Sequence, residues 1–276
     1  MLVGEMLRRL RTTAGFNEAE AAKAIGKSYS SKISRMESGQ HSFKASEITG
    51  LMDFYGLADL DQREDLMGLA LKANEPGWWD AWSDVSTKFL QTHVSLEEVA
   101  QRIRSYESHQ LLGLLQVPDY ARALVRANAP GQDQRAVDRI VEFRAMRQER
   151  FLDASEAVLV CLLDEVSLTR GYGTSTTMRR QLDHLIALAD HPRIVLHMVP
   201  LNRRNVPVQI GTTAIFDFAD GQLPPIVYNE LANGGQYIQD PERVDEHAKG
   251  FDRLLATCLN PLTALRRLQD YRKKVL

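Results

Sequence analysis

Residues 17–39 constrain the fold most, because they form the pattern of two short helices separated by a tight break. Asn17 is a good N-cap residue, since its side-chain oxygen can accept from the free amides of a first helical turn. Glu20 stands three residues later, where a capping box places its acidic partner. Gly26 then ends the first helix as a C-cap glycine does. The stretch therefore predicts two successive helices joined by a short turn.

The second helix of this pair, from about Ser30 to Glu37, carries Ile33 and Met36 at a spacing of three, which predicts that both face inward. The side chains left facing outward are hydroxyls and two cations, without an acid. A surface of this composition suits a DNA groove, where hydroxyls and cations meet base edges. We therefore expect base readout by Ser30, Ser31, Lys32, Ser34 and Arg35, with Arg35 as the best candidate for a guanine contact.

The charge distribution supports the same interpretation. The formal net charge is only −2, but residues 1–46 carry eight Lys or Arg against four acids (+4), whereas residues 47–72 carry two against six (−4). Positive charge on the elements expected to meet phosphate is the electrostatic signature of a DNA-binding unit, although a solvated surface with chance clustering is the alternative. Phosphate contacts are expected from Asn17, Tyr29, Gln40 and Lys44.

This stretch resembles the helix-turn-helix of the XRE/phage-repressor family, over roughly residues 2–72. In that family the second helix of the motif lies in the major groove. The resemblance also implies a structural ion pair between Arg11 and Glu37, which stand where the family pairs its first and third helices. Two features depart from the family pattern: the inter-helix turn is one residue longer, and Glu18 replaces a common Gln.

The chain is long enough, at 276 residues, for two domains. We expect a five-helix domain over residues 1–74, followed by a second domain over residues 75–276, because the best boundary signal is the run Asn-Glu-Pro-Gly at 74–77. All three tryptophans, at 78, 79 and 82, follow it directly. Tryptophans beside a domain boundary favour a domain junction or an oligomer interface. The more specific alternative is a platform on which single-stranded bases stack.

The C-terminal domain has the pattern of an α+β fold with a sheet of about four strands. Strand patterns occupy residues 157–164, 193–200, 212–219 and 225–231, with a brief extra pairing expected at 236–238. A capping box at residues 95–98 predicts a helix that reaches Tyr106. A long helix at about 133–152 carries five arginines among acids, and this mixture predicts a solvated helix.

A possible effector pocket is formed by Asp164, Glu165 and Arg170, at the end of a predicted strand. Asp217, Asn229 and Glu230 on other strands could join the pocket. A carboxylate pair at a strand end can be catalytic, but a neutralised ion pair or a loop cap is the simpler interpretation. The histidines lack metal-ligand spacing, and no phosphate-binding or dinucleotide motif is complete, so we expect no metal, no cofactor and no enzymatic activity.

Long segments of the C-terminal part resemble the large C-terminal domain of WhiJ-like regulators; they lie at 106–124, 162–168, 191–200 and 226–244. These form an XRE-type group typical of actinomycetes. The resemblance implies a regulator whose C-terminal domain, of poorly defined biochemical role, works with a small cognate protein encoded nearby.

The remaining features favour a cytoplasmic protein. Cys161 and Cys258 lie in apolar surroundings, which suggests buried thiols in a reducing compartment. No apolar run approaches the roughly 18 residues of a membrane span, and the N-terminus carries charges where a signal peptide would be apolar.

Taken together, the sequence predicts a sequence-specific DNA-binding transcriptional regulator, more readily a repressor, that binds a double-stranded operator as a homodimer. A small partner protein or a ligand would control it through the C-terminal domain. The alternative is a protein-interaction module, antitoxin-like, whose main role is to bind the small cognate protein. An enzyme that uses Asp164 and Glu165 is the third and least favoured class.

Overall fold

The computed structural model describes residues 2–39, 42–207, 211–219, 223–231 and 234–275. The chain divides into two compact units, Met1–Asp80 and Ala81–Leu276. A short 3-10 segment, Trp78–Trp82, carries the three tryptophans across this division.

Five helices build the N-terminal unit, as the sequence predicts: α1 (Leu2–Thr13), α2 (Glu18–Ala24), α3 (Ser31–Glu37), α4 (Ala45–Phe54) and α5 (Leu60–Lys72). Ile33 and Met36 of α3 are buried in the core, which confirms their predicted inward orientation. Phe43, in the connection between α3 and α4, is also buried in this core. The core therefore fixes which side of α3 remains outside.

The predicted caps of α2 are present. The side-chain oxygen of Asn17 accepts from the amides of Ala19 (2.9 Å) and Glu20 (3.0 Å), and the Glu20 carboxylate accepts from the Asn17 amide (2.8 Å). At the other end, Gly26 has a φ of +68°, and the amide of Lys27 donates to the Ala22 carbonyl at 2.8 Å. This is a Schellman ending, in which a left-handed glycine turns the chain out of the helix.

The first helix approaches the end of α3 very closely at Gly4. A Cβ atom built on Gly4 would lie 2.3 Å from the carbonyl oxygen of Glu37 and 2.5 Å from that of Met36. Because both obstacles are backbone atoms, the contact requires glycine. The spacing of α1 and α3 is therefore set by this one small residue.

In its described residues, the C-terminal unit contains seven helices, a second 3-10 segment at Gly113–Leu115 and six strands. The helices are α6 (Lys88–Glu97), α7 (Pro118–Asn128), α8 (Gln134–Asp153), α9 (Glu165–Arg170), α10 (Ser175–Leu188), α11 (Pro241–Leu255) and α12 (Pro261–Lys274). The strands are β1 (Arg102–Glu107), β2 (Val158–Asp164), β3 (Ile194–Val199), β4 (Thr213–Asp217), β5 (Ile226–Leu231) and β6 (Gly234–Ile238).

The strands form one mixed sheet in the order β3-β2-β1-β4-β5-β6. β1, β2 and β3 run parallel, whereas β4 is antiparallel to β1 and the remaining pairs are antiparallel. The α+β class is confirmed, but the sheet has six strands and not about four.

The additional central strand, β1, occupies residues for which the sequence predicts a helix. The capping box at 95–98 is not used, because α6 begins after Thr87 and ends at Glu97. Residues 96, 99, 103 and 106 do have helical spacing, but β1 pairs with β2 on one side and with β4 on the other. Pairing with two neighbouring strands stabilises the extended conformation of β1, and this outweighs the local preference for a helix that the spacing indicates.

The two faces of the sheet differ in character. One face is mainly apolar and includes Tyr106, Leu162, Ile215 and Val227, which cluster with Phe251 of α11. The opposite face of β1 carries Ile103, Ser105 and Glu107, because side chains alternate along a strand. Polar groups are buried on both faces: Ser105 and Glu107 on this face, and Thr213, which pairs with Tyr106, on the other.

Both cysteines are free thiols; Cys161 is buried and Cys258 is partly buried. Within the described part of the chain, every helix is too short or too polar to cross a membrane.

Candidate nucleic-acid interface

The outer face of α3 presents Ser31, Ser34 and Arg35, which are all exposed. These positions are three and four residues apart, so they lie on one side of the helix. Arg35 donates from Nε to the carbonyl oxygen of Ser31 at 3.2 Å, which holds the start of its side chain along the helix. Ser30 precedes the helix, is partly buried and makes no side-chain capping bond. The exposed face therefore has two hydroxyls and one guanidinium.

Lys32 does not face outward, contrary to the expectation from sequence. Its ammonium pairs with the buried carboxylate of Glu47 on α4, and only 14% of its side chain is exposed. Lys27 reaches the same carboxylate oxygen of Glu47 at 3.4 Å. The carboxylate draws Lys32 inward because Glu47 is itself buried against α3 and needs a cation. Lys32 thus links α3 to α4 and is not a free member of the exposed face.

The two lysines determine the charge state of Glu47. Burial alone would raise the pKa of Glu47, but the hydrogen bond and charge of Lys32, with those of Lys27, hold the pKa below its ordinary value of 4.5. Glu47 is therefore ionised at neutral pH, and it neutralises part of the positive charge that the sequence assigns to this region.

The residues expected at phosphates have different surroundings. Tyr29 is 78% exposed in the turn before α3, and Lys44 is exposed directly before α4. The side-chain oxygen of Asn17 accepts in the cap of α2 and its backbone amide donates to Glu20, so the side-chain NH2 group is the donor left for a phosphate. Gln40 lies outside the described residues.

Arg11 and Glu37 form a buried, two-point ion pair that joins α1 to α3. The Nε and Nη2 atoms of Arg11 lie 2.6 Å and 2.8 Å from the two carboxylate oxygens of Glu37, and Nη1 donates to the Phe16 carbonyl at 2.8 Å. The hydrogen bond to Glu37 raises the pKa of Arg11 further above its ordinary value. All of these contacts are internal to the unit, so the pair holds α3 in place.

In the C-terminal unit, Asp164 and Glu165 are engaged in structural contacts. Asp164 caps α9 by accepting from the Val166 amide, and it also accepts from the Tyr106 hydroxyl, both at 3.0 Å. The buried Glu165 accepts from the Leu201 amide at 2.8 Å and pairs with Arg267 at 3.2 Å.

Arg170 is exposed at the end of α9. Among the described residues, no ion pair joins it to Asp164 or Glu165. A pocket shared by the three residues stays a prediction, without a direct contact of Arg170 to support it.

Asp217 cannot join the proposed pocket, so that expectation is wrong. It pairs with Arg102 (2.9 Å) and Arg104 (2.8 Å), and it lies opposite Arg102 at the start of β1. Asp164 follows the residue of β2 that pairs with Glu107 at the end of β1. The two aspartates therefore lie at opposite ends of the sheet. Asn229, by contrast, lies at the Asp164 end of the sheet, because it pairs with Thr213 and Thr213 pairs with Tyr106. Asn229 accepts from the Thr213 hydroxyl at 2.5 Å, and Glu230 is exposed.

The prediction of a solvated helix at 133–152 is wrong for one side of α8. Arg147 is only 8% exposed, and it holds the buried Glu97 of α6 through two bonds of 2.7 Å and 2.5 Å. The sequence does contain a signal for this: Arg147 stands at helical spacing between Phe143 and Phe151, which are both buried. A count of charges alone does not show that this side of the helix is buried.

Comparison with known protein families assigns both units. A helix-turn-helix domain model matches residues 2–66. A second model, described as "Domain of unknown function (DUF5753)", matches residues 90–270, which is more than half of the chain. The chain therefore belongs to the DUF5753 family and carries a helix-turn-helix domain at its N-terminus. Searches of curated proteins and of solved structures found no match.

Proposed function

We propose that the protein is a sequence-specific DNA-binding transcriptional regulator of the XRE type, with the WhiJ-like architecture and the cytoplasmic location that the sequence suggests, and that it acts as a repressor. The observation that carries the proposal is the exposed face of α3 with Ser31, Ser34 and Arg35, on the second helix of a helix-turn-helix domain. The buried Arg11–Glu37 pair supports it, because a recognition helix must be held rigidly to read bases.

Arg35 is the principal base-reading residue in this proposal. A guanidinium can donate two parallel bonds to a guanine edge, and such a contact contributes about 1–3 kcal/mol of discrimination. Ser30, Ser31 and Ser34 offer hydroxyl contacts to neighbouring bases. Lys32 is excluded from direct readout because Glu47 holds its ammonium.

Tyr29, Lys44, Asn17 and Gln40 are proposed to bind phosphate, which sets the position of the domain without reading sequence. One module of this size buries only about 600–1,000 Å² on DNA. We therefore propose that two copies bind one operator, with half-sites about 10–10.5 base pairs apart or a multiple of that spacing.

The experiment that tests readout compares Arg35→Ala with Lys44→Ala on operator and on random duplex DNA. Arg35→Ala should lose operator affinity by about tenfold or more and relax one base preference, while its affinity for random duplex changes little. Lys44→Ala should weaken binding to both duplexes alike and reduce the salt dependence of binding. Lys72→Ala is a matched control, because Lys72 is an exposed lysine at the end of the acidic α5.

If Arg35→Ala lost the same affinity for operator and for random duplex, Arg35 would not be a base-reading residue. If neither substitution changed the affinity for any duplex, the exposed face of α3 would not bind DNA at all. The operator itself can be found by footprinting upstream of the protein's own gene.

Control through the C-terminal unit, by a small partner protein or a ligand, is the second part of the proposal. It is supported by the size of that unit, which spans Ala81–Leu276 and is far larger than DNA recognition by the first unit needs. Loss of the operator shift when a neighbouring gene product is added would support the partner. Co-purification of that product without any operator binding would favour the antitoxin-like alternative.

A further inference from the structure

The buried polar face of the central strand β1 contains two groups with incomplete hydrogen bonding. Ser105 and Glu107 are 0% and 7% exposed, and they lie on the same face because they are two residues apart on a strand. Among the described residues, neither the hydroxyl of Ser105 nor the Oε2 atom of Glu107 has a hydrogen-bond partner. Buried polar atoms almost always have hydrogen-bond partners, so a polar group from outside the chain could supply the hydrogen bonds that these two atoms lack.

A guanidinium close to this face also lacks an anionic partner. Arg144 of α8 is partly buried and donates from Nη1 to the neutral amide oxygen of Gln116 at 2.5 Å. Within the described ranges, no carboxylate lies within 4.0 Å of Arg144. Burial, together with the charge of Arg147, lowers the pKa of Arg144 to about 10. Arg144 therefore remains a cation at neutral pH, without a carboxylate in contact.

The neighbouring cation, Arg147, differs from Arg144 because it has a carboxylate partner. Both carboxylate oxygens of Glu97 accept from Arg147, and His93 approaches the same carboxylate at 3.4 Å. Because Glu97 is fully committed to Arg147, it cannot neutralise Arg144 as well. Arg144 is thus the one of these two arginines that has no carboxylate in contact, although the charge of Glu230 acts on it from a distance.

We propose that Arg144, Glu107 and Ser105 form a binding site for a small organic carboxylate. The guanidinium of Arg144 would bind the anion through paired N–H groups, the geometry that a carboxylate matches best. The carboxyl group of Glu107, in its protonated form, and the hydroxyl of Ser105 would donate to the oxygens of the same anion. The side chains beside Ser105 on the two neighbouring strands are small: Cys161 lies opposite it on β2, and Ala214 lies opposite it on β4.

The protonation of Glu107 gives this site a pH dependence. Burial and the charge of Glu230 raise the pKa of Glu107 to about 8, against the opposing charges of Arg147 and Arg144. The titratable groups that interact with Glu107 from the surrounding elements are Arg144 and Arg147 on α8, Glu230 and Tyr228 on β5, Cys161 on β2 and Tyr120 on α7. Above this pKa an ionised Glu107 would repel the bound anion, so affinity should fall as the pH rises.

The test uses the full-length protein, with acetate and benzoate as probes and acetamide and benzamide as uncharged matches, titrated by NMR at constant ionic strength. At least one of the two carboxylates should bind saturably, and its amide should not. Arg144→Met should weaken that binding at least tenfold, since hydrogen bonds to a charged group contribute about 1.5–3 kcal/mol. Arg135→Met is the control, because Arg135 is an exposed arginine on the same helix.

A second measurement keeps the proposal testable if Arg144→Met fails to fold. Affinity of the wild type for the carboxylate should fall about tenfold between pH 7 and pH 9, because the protonated fraction of a group with a pKa of about 8 falls by that factor. Glu107→Gln keeps a neutral donor, so the variant should bind at both pH values with nearly equal affinity.

Four results would overturn the proposal: no saturable binding of either carboxylate, equal binding of the amides, unchanged affinity in Arg144→Met, or a pH dependence that persists in Glu107→Gln. The site is a property of the C-terminal unit and is measured without DNA. Only its use as a regulatory site rests on the proposed function, so failure of operator binding and failure of carboxylate binding are distinguishable.

Discussion

The two units of the chain each bury an arginine, and the two arginines have different surroundings. In the N-terminal unit, Arg11 has both oxygens of Glu37 and the Phe16 carbonyl as partners. In the C-terminal unit, Arg144 contacts only a neutral amide oxygen among the described residues. Complete pairing is what a structural ion pair requires, whereas incomplete pairing of a buried charge is costly unless another group compensates it.

The difference is not simply one between units. Arg147, three residues after Arg144 on the same helix, is paired with Glu97 as completely as Arg11 is paired with Glu37. Of the three arginines, Arg144 is therefore the one without a carboxylate in contact. We interpret the two completed pairs as parts of the scaffold and the incomplete group as a binding site.

The largest expected effect tests this distinction directly. Arg11→Met should lower the free energy of unfolding of the N-terminal unit by about 3–5 kcal/mol, because it leaves the buried carboxylate of Glu37 uncompensated. Arg144→Met should lower the stability of the C-terminal unit by less, at most about 1.5–3 kcal/mol, since it breaks one hydrogen bond between a charged donor and a neutral amide. Scanning calorimetry of the full chain would measure both.

Arg63→Met is the control for Arg11→Met, because Arg63 pairs with the exposed carboxylate of Asp53 and such pairs contribute at most about 1 kcal/mol. A loss in Arg144→Met as large as that in Arg11→Met would contradict the comparison. It would mean that Arg144 is part of the scaffold.

A smaller effect is expected at the backbone contact that positions the Arg11–Glu37 pair. Gly4→Ala places a methyl group 2.3 Å from the Glu37 carbonyl oxygen, and α1 must move away from α3 to accept it. We expect a loss of about 1–3 kcal/mol in unfolding free energy, the usual range for overpacking. Gly68→Ala, in α5, has no atom within 4 Å of the new Cβ and should stabilise by about 0.5–1 kcal/mol through helix propensity. Equal, favourable effects of the two substitutions would show that α1 and α3 are not in close contact.

How far the sequence predicts the structure depends on how local the cause is. The cap at Asn17 and the glycine ending at Gly26 are fixed within a few residues, so they were predictable and are confirmed. β1 was predicted as a helix because its extended form depends on strands that lie about 50 and 110 residues away along the chain. Helical spacing over 96–106 carries no information about those partners.

The candidate sites show the same limit. The exposed positions of Ser31, Ser34 and Arg35 follow from the helical period of α3 alone. The inward orientation of Lys32 depends on Glu47, a residue of the next helix, and local reasoning could not find it. The carboxylate site required Glu107 of β1 and Arg144 of α8, which only the folded sheet brings together.

The smallest expected effect is a pH dependence of stability that belongs to Glu107. Its pKa in the folded protein, about 8, lies above the ordinary value of 4.5, so the folded form retains a proton that the unfolded chain has released. Stability should therefore be highest below about pH 4.5 for this group, fall as the pH rises through 8, and change no further above it.

Glu107→Gln removes that titration while keeping the size and a donor of the side chain. The variant should gain stability relative to the wild type as the pH rises from 7 to 9, by about 1–2 kcal/mol. Thermal unfolding at a series of pH values would measure the gain, with Glu142→Gln, at an exposed position of α8, as the control. Parallel pH profiles for the wild type and Glu107→Gln would mean that the carboxyl of Glu107 is already ionised and paired, which would place it with Glu37 and Glu97 among the structural acids.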